Sequence, residues 1–433
     1  MILARQERVK PKKYLTWYTF LMLKKIRPFL LALAALILLA AGIYFLFPNL
    51  QAAVNWRVEK ARLYLKNSVN PIGAVPTALP FTPQAKTATP QVTPTSTPQT
   101  LTPSATASPS PTPLPPQAQI KSPPFEQQTP NNCGPATLSM MLHLYGWEGS
   151  QKDISDLVKP VIGDRNVNPE ELRYYVRTQA GWLNMEYRVG GDLQTLKRLL
   201  AANYPVMVES VTALDPNDAL GPNDDLWAAH YLLLTGYNDA AQEFTIQDSY
   251  HGANLKISYE KLEREWHPFN NLYLVVYFPQ FEEEMKALLG AHWDAGENRL
   301  AALDSARRAT KTSPEDSFAW FNLGSDLVYF DRYEEAAQAY DQSRELGLPL
   351  RMFRYQFGPF LAYFHSNRND DLLALASYAL DVTEKSEEAW LWYGYGLYRK
   401  GDNEGARKAW QKADSINPNF FENQARQALN LLP

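Results

Sequence analysis

A single cysteine, Cys133, stands among 433 residues, so no disulfide can form within the chain. Its thiol has three readings: a small buried hydrophobe, an intermolecular crosslink, or a nucleophile. Neither sign of charge is in excess. Forty-two basic and 46 acidic residues give a net charge of -4 and a pI near 6, which leaves no electrostatic footprint for nucleic acid. No GxxxxGK[ST] phosphate loop occurs, and no motif requires a cofactor or a metal. What is present is ample apolar material, 45% hydrophobic and 12% aromatic, in a length that allows two or three domains.

The first 28 residues are short of acid. Glu7 stands alone against Arg5, Arg8, Lys10, Lys12, Lys13, Lys24, Lys25 and Arg27, and residues 29–47 then run without a charge between Pro28 and Pro48. Nineteen helical residues reach about 28 Å, the thickness of a hydrocarbon core. A transmembrane anchor is expected at 29–47, with 1–28 as a basic cytoplasmic tail and the rest of the chain extracytoplasmic. The localisation read is therefore a single-pass plasma-membrane protein; the alternative is a cleaved signal peptide, for which the run is long. Residues 48–70 place Leu50, Val54, Val58, Ala61 and Leu65 at helical spacing. This predicts a juxtamembrane helix that either lies on the bilayer or prolongs the anchor.

Residues 71–122 are mostly Pro, Thr, Ser, Ala and Gln. Such a segment buries too little apolar area to offset its ordering entropy, so a disordered linker is expected, with ends roughly 40 Å apart as a flexible coil. It is read as a spacer; O-glycosylation and recognition by aromatic grooves are the other readings.

Beyond it, residues 123–280 mix helical patterns at 134–145, 151–158, 169–180 and 192–202 with six strand-like runs, among them "HYLLLTGY" and "EFTIQDS". Residues 281–433 read as helical and repeat themselves. Trp320, Leu323, Gly324, Leu327, Ala336 and Tyr340 share a spacing with Trp390, Tyr393, Gly394, Leu397, Ala406 and Trp410. A copy precedes them at Leu289, Gly290, Trp293, Ala302, Ala306 and Pro314, and a weaker one surrounds Phe357, Gly358 and Leu361. This block resembles the tetratricopeptide pattern, whose stacked helix pairs present a concave face to a protein partner. A rigid appendage is the plainer reading.

The cysteine lies in "FEQQTPNNCGPATLSMMLHLYGW", residues 125–147. Asn131 and Asn132 suit a helix cap, Pro135 suits the first turn, and an apolar helix follows. Cys133 therefore begins a helix, where unpaired amides and the dipole stabilise a thiolate; a packing cysteine belongs mid-helix. A nucleophilic cysteine also needs a base. Residues 228–250 read as two strands around the turn "NDAAQ". A turn centred near 239–240 sets His230 opposite Asp248, with Leu232, Leu234, Phe244 and Ile246 on the same face, and one residue of slip would break the arrangement. His143, His251, His267, His292 and His365 are read as surface or packing residues. Between these strands and the preceding ones, loop 212–230 carries Asp215, Asp218, Asp224 and Asp225. It reads as solvated, or as a lid favouring basic or polar substrates, with Trp227 walling the cleft; a calcium site is a remote third reading, since the spacing matches no known loop.

These stretches resemble the C39-type cysteine peptidases, relatives of the papain fold. The likeness is carried by "QQTPNNCGPATLSMMLHLYG", "HYLLLTGYN" and "IQDS"; "DSY" stands where many relatives have Asp-Pro. It implies an α+β papain-like domain, with Cys133 as nucleophile, His230 as base and Asp248 as orienter. It also implies Gln127, six residues before the cysteine, as oxyanion-hole donor, with Gln128 easily confused with it. The expected substrate is a peptide or protein. Well-known relatives front ATP-driven exporters, but this chain shows no phosphate loop and one spanning segment, so their leader specificity is not carried over. Two other functions remain open: a Cys-His-Asp acyl or amide transferase, and a catalytically silent scaffold.

Overall fold

The computed structural model describes residues 14–80, 113–419 and 423–432. They form two compact units, 1–66 and 67–433. In the first, helix α1 spans Tyr14–Leu46 and α2 begins at Pro48 and runs to Val69. The stretch Pro28–Leu46, with mean hydropathy 2.7, is long and apolar enough to cross a membrane. Across the junction between the two helices the amide of Gln51 donates to the Phe47 carbonyl at 3.0 Å.

The second unit holds an antiparallel sheet and a helical block. The strands are β1 (Gln117–Gln119), β2 (Asn184–Arg188), β3 (Val206–Ala213), β4 (Trp227–Asn238), β5 (Glu243–Asp248), β6 (Gly252–Ser258) and β7 (Tyr273–Tyr277). Their order across the sheet is β2-β7-β3-β4-β5-β6, and β1 pairs with the far end of β4. Helices α3 (Cys133–His143), α4 (Gln151–Val158), α5 (Pro169–Gln179), α6 (Leu193–Ala201) and α7 (Tyr259–Trp266) complete this part.

Side chains alternate along the strands, and the two faces bury separate cores. Met185, Met207, Tyr231, Leu233, Leu274 and Val276 pack under α3, α4 and α5, against Leu138, Met141, Ile154, Leu172 and Val176. Val206, Val208, Leu232, Leu234, Phe244 and Ile246 pack on the other face against Leu196, Leu199 and Leu200 of α6 and Leu262 and Trp266 of α7. Each such aliphatic side chain contributes about 1.5–3 kcal/mol by leaving water, so helix α3 is pinned to the sheet along its whole apolar side.

The hairpin β4–β5 forms, with Leu232, Leu234, Phe244 and Ile246 on one face, but in a different register from the one expected. Asn238 pairs with Glu243, Tyr237 with Phe244 and Gly236 with Thr245; the ladder then skips Thr235 and resumes with Leu234 opposite Ile246 and Leu233 opposite Gln247. The turn sits later than assumed and Thr235 is an extra, bulged residue. The bulge accompanies the arrival of β1. The Thr235 carbonyl accepts the Ile120 amide at 2.7 Å, and a Cβ on Gly236 would lie 2.6 Å from the Ala118 carbonyl.

Strand β1 lies inside the stretch expected to be a linker. At the other end of that stretch, the Pro76 and Thr77 carbonyls accept Arg344 at 2.7 and 2.9 Å, and the Leu79 amide donates to Asp371 at 3.0 Å. Extended proline-rich backbone keeps free carbonyls, and a buried arginine uses them. The rest of the expected linker, 81–112, lies outside the described residues.

The block after β7 is mostly helical: α8 (Glu282–Leu289), α9 (Ala295–Thr312), α10 (Ser317–Tyr329), α11 (Tyr333–Leu346), α12 (Gly358–His365), α13 (Asn369–Val382), α14 (Glu387–Arg399), α15 (Asn403–Ile416) and α16 (Gln424–Leu429). The repeated glycines mark close contacts. A Cβ on Gly324 would lie 2.7 Å from the Tyr340 ring, and one on Gly394 would lie 2.4 Å from the Trp410 ring. Helix pairs α10–α11 and α14–α15 thus share one small-against-large contact.

Acidic loop 212–230 is exposed at Asp215, Pro216 and Asn217, as expected of a solvated loop, but its later end is held. Asp224 makes a bidentate pair with Arg351, which is fully buried, and Asp225 accepts the Leu350 amide at 2.8 Å. Trp227 stacks between Phe269 and Phe318 at 5.7 and 6.5 Å. The later part of the loop fastens the sheet domain to the helical block, while Asp218 accepts the Tyr250 hydroxyl at 3.2 Å, beside the His230 ring.

Candidate active site

Cys133 is the first residue of α3 and is partly buried. The preceding asparagines do not cap the helix with their side chains. Asn131 takes a left-handed conformation (φ 60°) and donates to the Ile162 carbonyl at 2.9 Å; Asn132 donates to Gln151 Oε1 at 3.2 Å. The first-turn amides, which a helix cannot pair internally, are thereby left uncapped beside the sulfur.

Gln151, not singled out from sequence, holds this approach together. Its Oε1 accepts the Thr129 amide at 2.7 Å, and its Nε2 donates to Glu126 at 3.0 Å and to the Gln127 carbonyl at 2.8 Å. One buried amide therefore fixes the backbone from 126 to 132. The available signal was a glutamine opening an amphipathic helix shortly after the cysteine helix.

His230 and Asp248 meet despite the shifted register. With Leu233 opposite Gln247, Asp248 comes opposite Leu232, and His230 reaches it along the diagonal, Nε2 to Oδ1 at 2.7 Å. That leaves Nδ1 for the cysteine. Asp248 Oδ1 also accepts the amides of Tyr250 and His251 at 2.9 and 3.0 Å, and its Oδ2 bonds His251 Nδ1 at 2.7 Å. His251 is exposed, as a surface or packing residue is expected to be, and it also shares the carboxylate with His230. The signal was its position three residues after the aspartate, within reach once the chain turns.

The charges follow from these contacts. Burial alone would push the Cys133 thiol up. The hydrogen bond and charge of His230, the Tyr231 amide and the charge of Lys159 outweigh it, and the thiol lies below its ordinary value. Burial likewise disfavours a charged His230, but Asp248 and Cys133 raise it to about 9. Burial pushes Asp248 up too, yet His230 and then His251 hold it far below the usual carboxylate range. Both shifts run toward a thiolate beside an imidazolium, and such a pair is a nucleophile for a carbonyl carbon.

Gln127 faces elsewhere. Its Nε2 donates to the carbonyls of Ser249 and Tyr250 at 2.8 and 2.9 Å, which occupies both amide hydrogens. Gln128 accepts the Ser249 hydroxyl on Oε1 at 2.9 Å. The other histidines serve packing: His143 bonds the Gly149 carbonyl, His267 bonds Asp316, and His365 stacks on Tyr333. Among the described residues no group of three or more His, Cys, Asp or Glu is arranged to hold a metal.

Residues 114–274 match the model of the Peptidase_C39 like family. The match begins ahead of β1, in keeping with that strand's place in the sheet. No curated protein matches the chain. Similar solved structures include a protein described as a C39-like peptidase from Bacillus anthracis, at 19% identity over 37% of this chain and 97% of that one, TM-score 0.30. A double glycine motif protease from an AMS/PCAT transporter, in complex with its leader peptide, is 18% identical over 37% and 93%, TM-score 0.26. The peptidase domain of Streptococcus ComA, a bifunctional ABC transporter, is 16% identical over 37% and 96%, TM-score 0.27. The match of residues 114–274 to this family supports chemistry of the cysteine-peptidase type.

Proposed function

We propose that the protein is a membrane-anchored extracytoplasmic cysteine peptidase that hydrolyses peptide bonds through Cys133, His230 and Asp248. The observation that supports this most is His230 held by Asp248 at 2.7 Å and raised to about 9, beside a Cys133 at the start of α3 whose thiol it lowers. Cys133 attacks the scissile carbonyl as a thiolate. His230 then gives its proton to the leaving amine and takes one from the water that releases the acyl group; Asp248 fixes the ring and balances its charge. The Cys133 amide receives the oxyanion, joined by the Gln128 side chain or by that of Gln127 once it lets go of the Ser249 and Tyr250 carbonyls.

The apolar stretch Pro28–Leu46 and its basic flank support an anchor with a cytoplasmic N-terminus. The helix pairs with their repeated glycine contacts support a tetratricopeptide-like array that recruits a protein partner or substrate. Acyl or amide transfer uses the same three residues and differs in what enters the second half-reaction. The deciding experiment compares fragments released from a membrane-protein mixture by the wild-type protein and by Cys133→Ala. Fragments that need Cys133 support hydrolysis; acyl transfer to an added amine without fragments supports the transferase, and neither supports a silent scaffold.

A further inference from the structure

Glu209 is a buried acid that the proposed mechanism does not use. It lies on β3 opposite Tyr231, only 4% exposed. Among the groups that act on it there is no cation. Burial raises its carboxyl well above the ordinary range, and the charges of Cys133 and Glu170 raise it further; only the Tyr231 hydroxyl opposes them. That hydroxyl also donates to the Val167 carbonyl at 3.1 Å, and its single proton serves one acceptor at a time. An acid placed this way costs stability and nothing in the fold repays it.

Glu209 faces a cavity of about 330 Å³ between the sheet domain and the helical block. Its walls include Tyr187, Phe269, Tyr355 and Phe357, with Glu170 as a second carboxylate. Arg299 also borders the space, but its charge is engaged by Asp326 at 3.1 Å. Glu170 accepts the Tyr187 hydroxyl at 2.6 Å. Aromatic faces around carboxylates are the surroundings that hold an ammonium or guanidinium group.

The cavity wall reaches the nucleophile's helix at Val167, 3.4 Å from where a Cβ on Gly134 would lie. Tyr231 separates the two: its ring would be 3.3 Å from a Cβ on Gly134, and its amide bonds the Cys133 sulfur. We propose that this cavity is a specificity pocket that takes a lysine or arginine side chain of the peptide bound at Cys133, with Glu209 as counter-ion and the helical block supplying one wall. The proposal rests on the peptidase reading, but the pocket's preference exists without turnover.

The test therefore uses full-length Cys133→Ala protein and two probes, N-acetyl-lysine methylamide and its norleucine counterpart. The lysine probe is expected to bind at least about tenfold more tightly, as one buried cation–carboxylate contact with aromatic faces supplies. Adding Glu209→Gln should equalise the two probes. The same substitution should leave the melting temperature unchanged or raised, since it removes an uncompensated acid. Calorimetry in buffers of different ionisation enthalpy supplies a measure on the unsubstituted pocket: an ammonium that ionises Glu209 releases a proton, so the apparent enthalpy depends on the buffer. Equal affinity for both probes, a lysine preference that survives Glu209→Gln, or a buffer-independent enthalpy overturns the pocket. Lysine preference in a protein that cleaves nothing would keep the pocket and reject the peptidase.

Discussion

Two of the regions that bury acidic side chains neutralise them in different ways. At the Cys133 site, Asp248 is ionised because two imidazoles and two amides converge on it. At the seam between the sheet domain and α14, Asp164, Glu171, Glu387 and Glu388 are all buried with one lysine, Lys159, nearby. Burial and mutual repulsion raise their values, Asp164 to about 7. Asp164 Oδ2 and Glu387 Oε2 lack an ordinary donor, yet Asp164 hydrogen-bonds Glu387. A proton on either carboxyl would supply the missing donor. The site stores charge and the seam stores protons. Lys159 joins them, since it donates to the Asn131 carbonyl at 3.0 Å and its charge lowers the Cys133 thiol.

That contrast can be broken at several points. The largest expected effect is at the site: His230→Ala should lower kcat/KM by about 10⁴-fold, with thermal stability nearly retained. A similar loss of stability and activity together would mean the residue is architectural. Next is the other ion pair of the interface, where Asp224→Ala leaves the fully buried Arg351 without its bidentate partner. Removing one member of such a pair costs about 3–5 kcal/mol, readable by urea unfolding; a change within error would show that water replaces the carboxylate.

Smaller effects sharpen the comparison. Loss of an oxyanion donor costs about 10² in kcat, so Gln127→Ala and Gln128→Ala measured side by side identify which amide turns toward the substrate. A drop in neither removes the side-chain donor from the mechanism. The smallest effect concerns pH. An acid whose folded value is raised gives its stability below about pH 4 and loses it as pH rises through that folded value, about 7 for Asp164. Asp248 behaves oppositely, losing its contribution as the solution is acidified. Melting temperature should therefore fall from pH 5 to pH 8, and Glu387→Gln should flatten that fall by a few degrees, at about 2–4 °C per kcal/mol. An unchanged slope would place the protons elsewhere.

Much of the site was legible because its parts are local. A cysteine between asparagines and glycine at the mouth of an apolar run forecasts α3, and two strand patterns around "NDAAQ" forecast the β4–β5 hairpin. The register was not legible, because the bulge at Thr235 accompanies a pairing with β1, more than a hundred residues earlier and within proline-rich sequence. The same distance hides the seam. The contacts of Asp224 with Arg351 and of Asn166 with Glu388 join residues more than a hundred positions apart and form only when the helical block folds back on the sheet. His251 was hidden by a smaller error: a loop assignment says nothing about which carboxylate a turn brings within reach.

With one cysteine in the chain, thiol alkylation reports on Cys133 alone. Its rate should be measured against pH in the wild-type protein and in His230→Ala. The account expects the wild-type thiol to react fast well below the ordinary thiol pKa of about 8.5, and the variant to lose that acidic reactivity. A wild-type rate that rises only near or above that value, and that His230→Ala leaves unchanged, would contradict it.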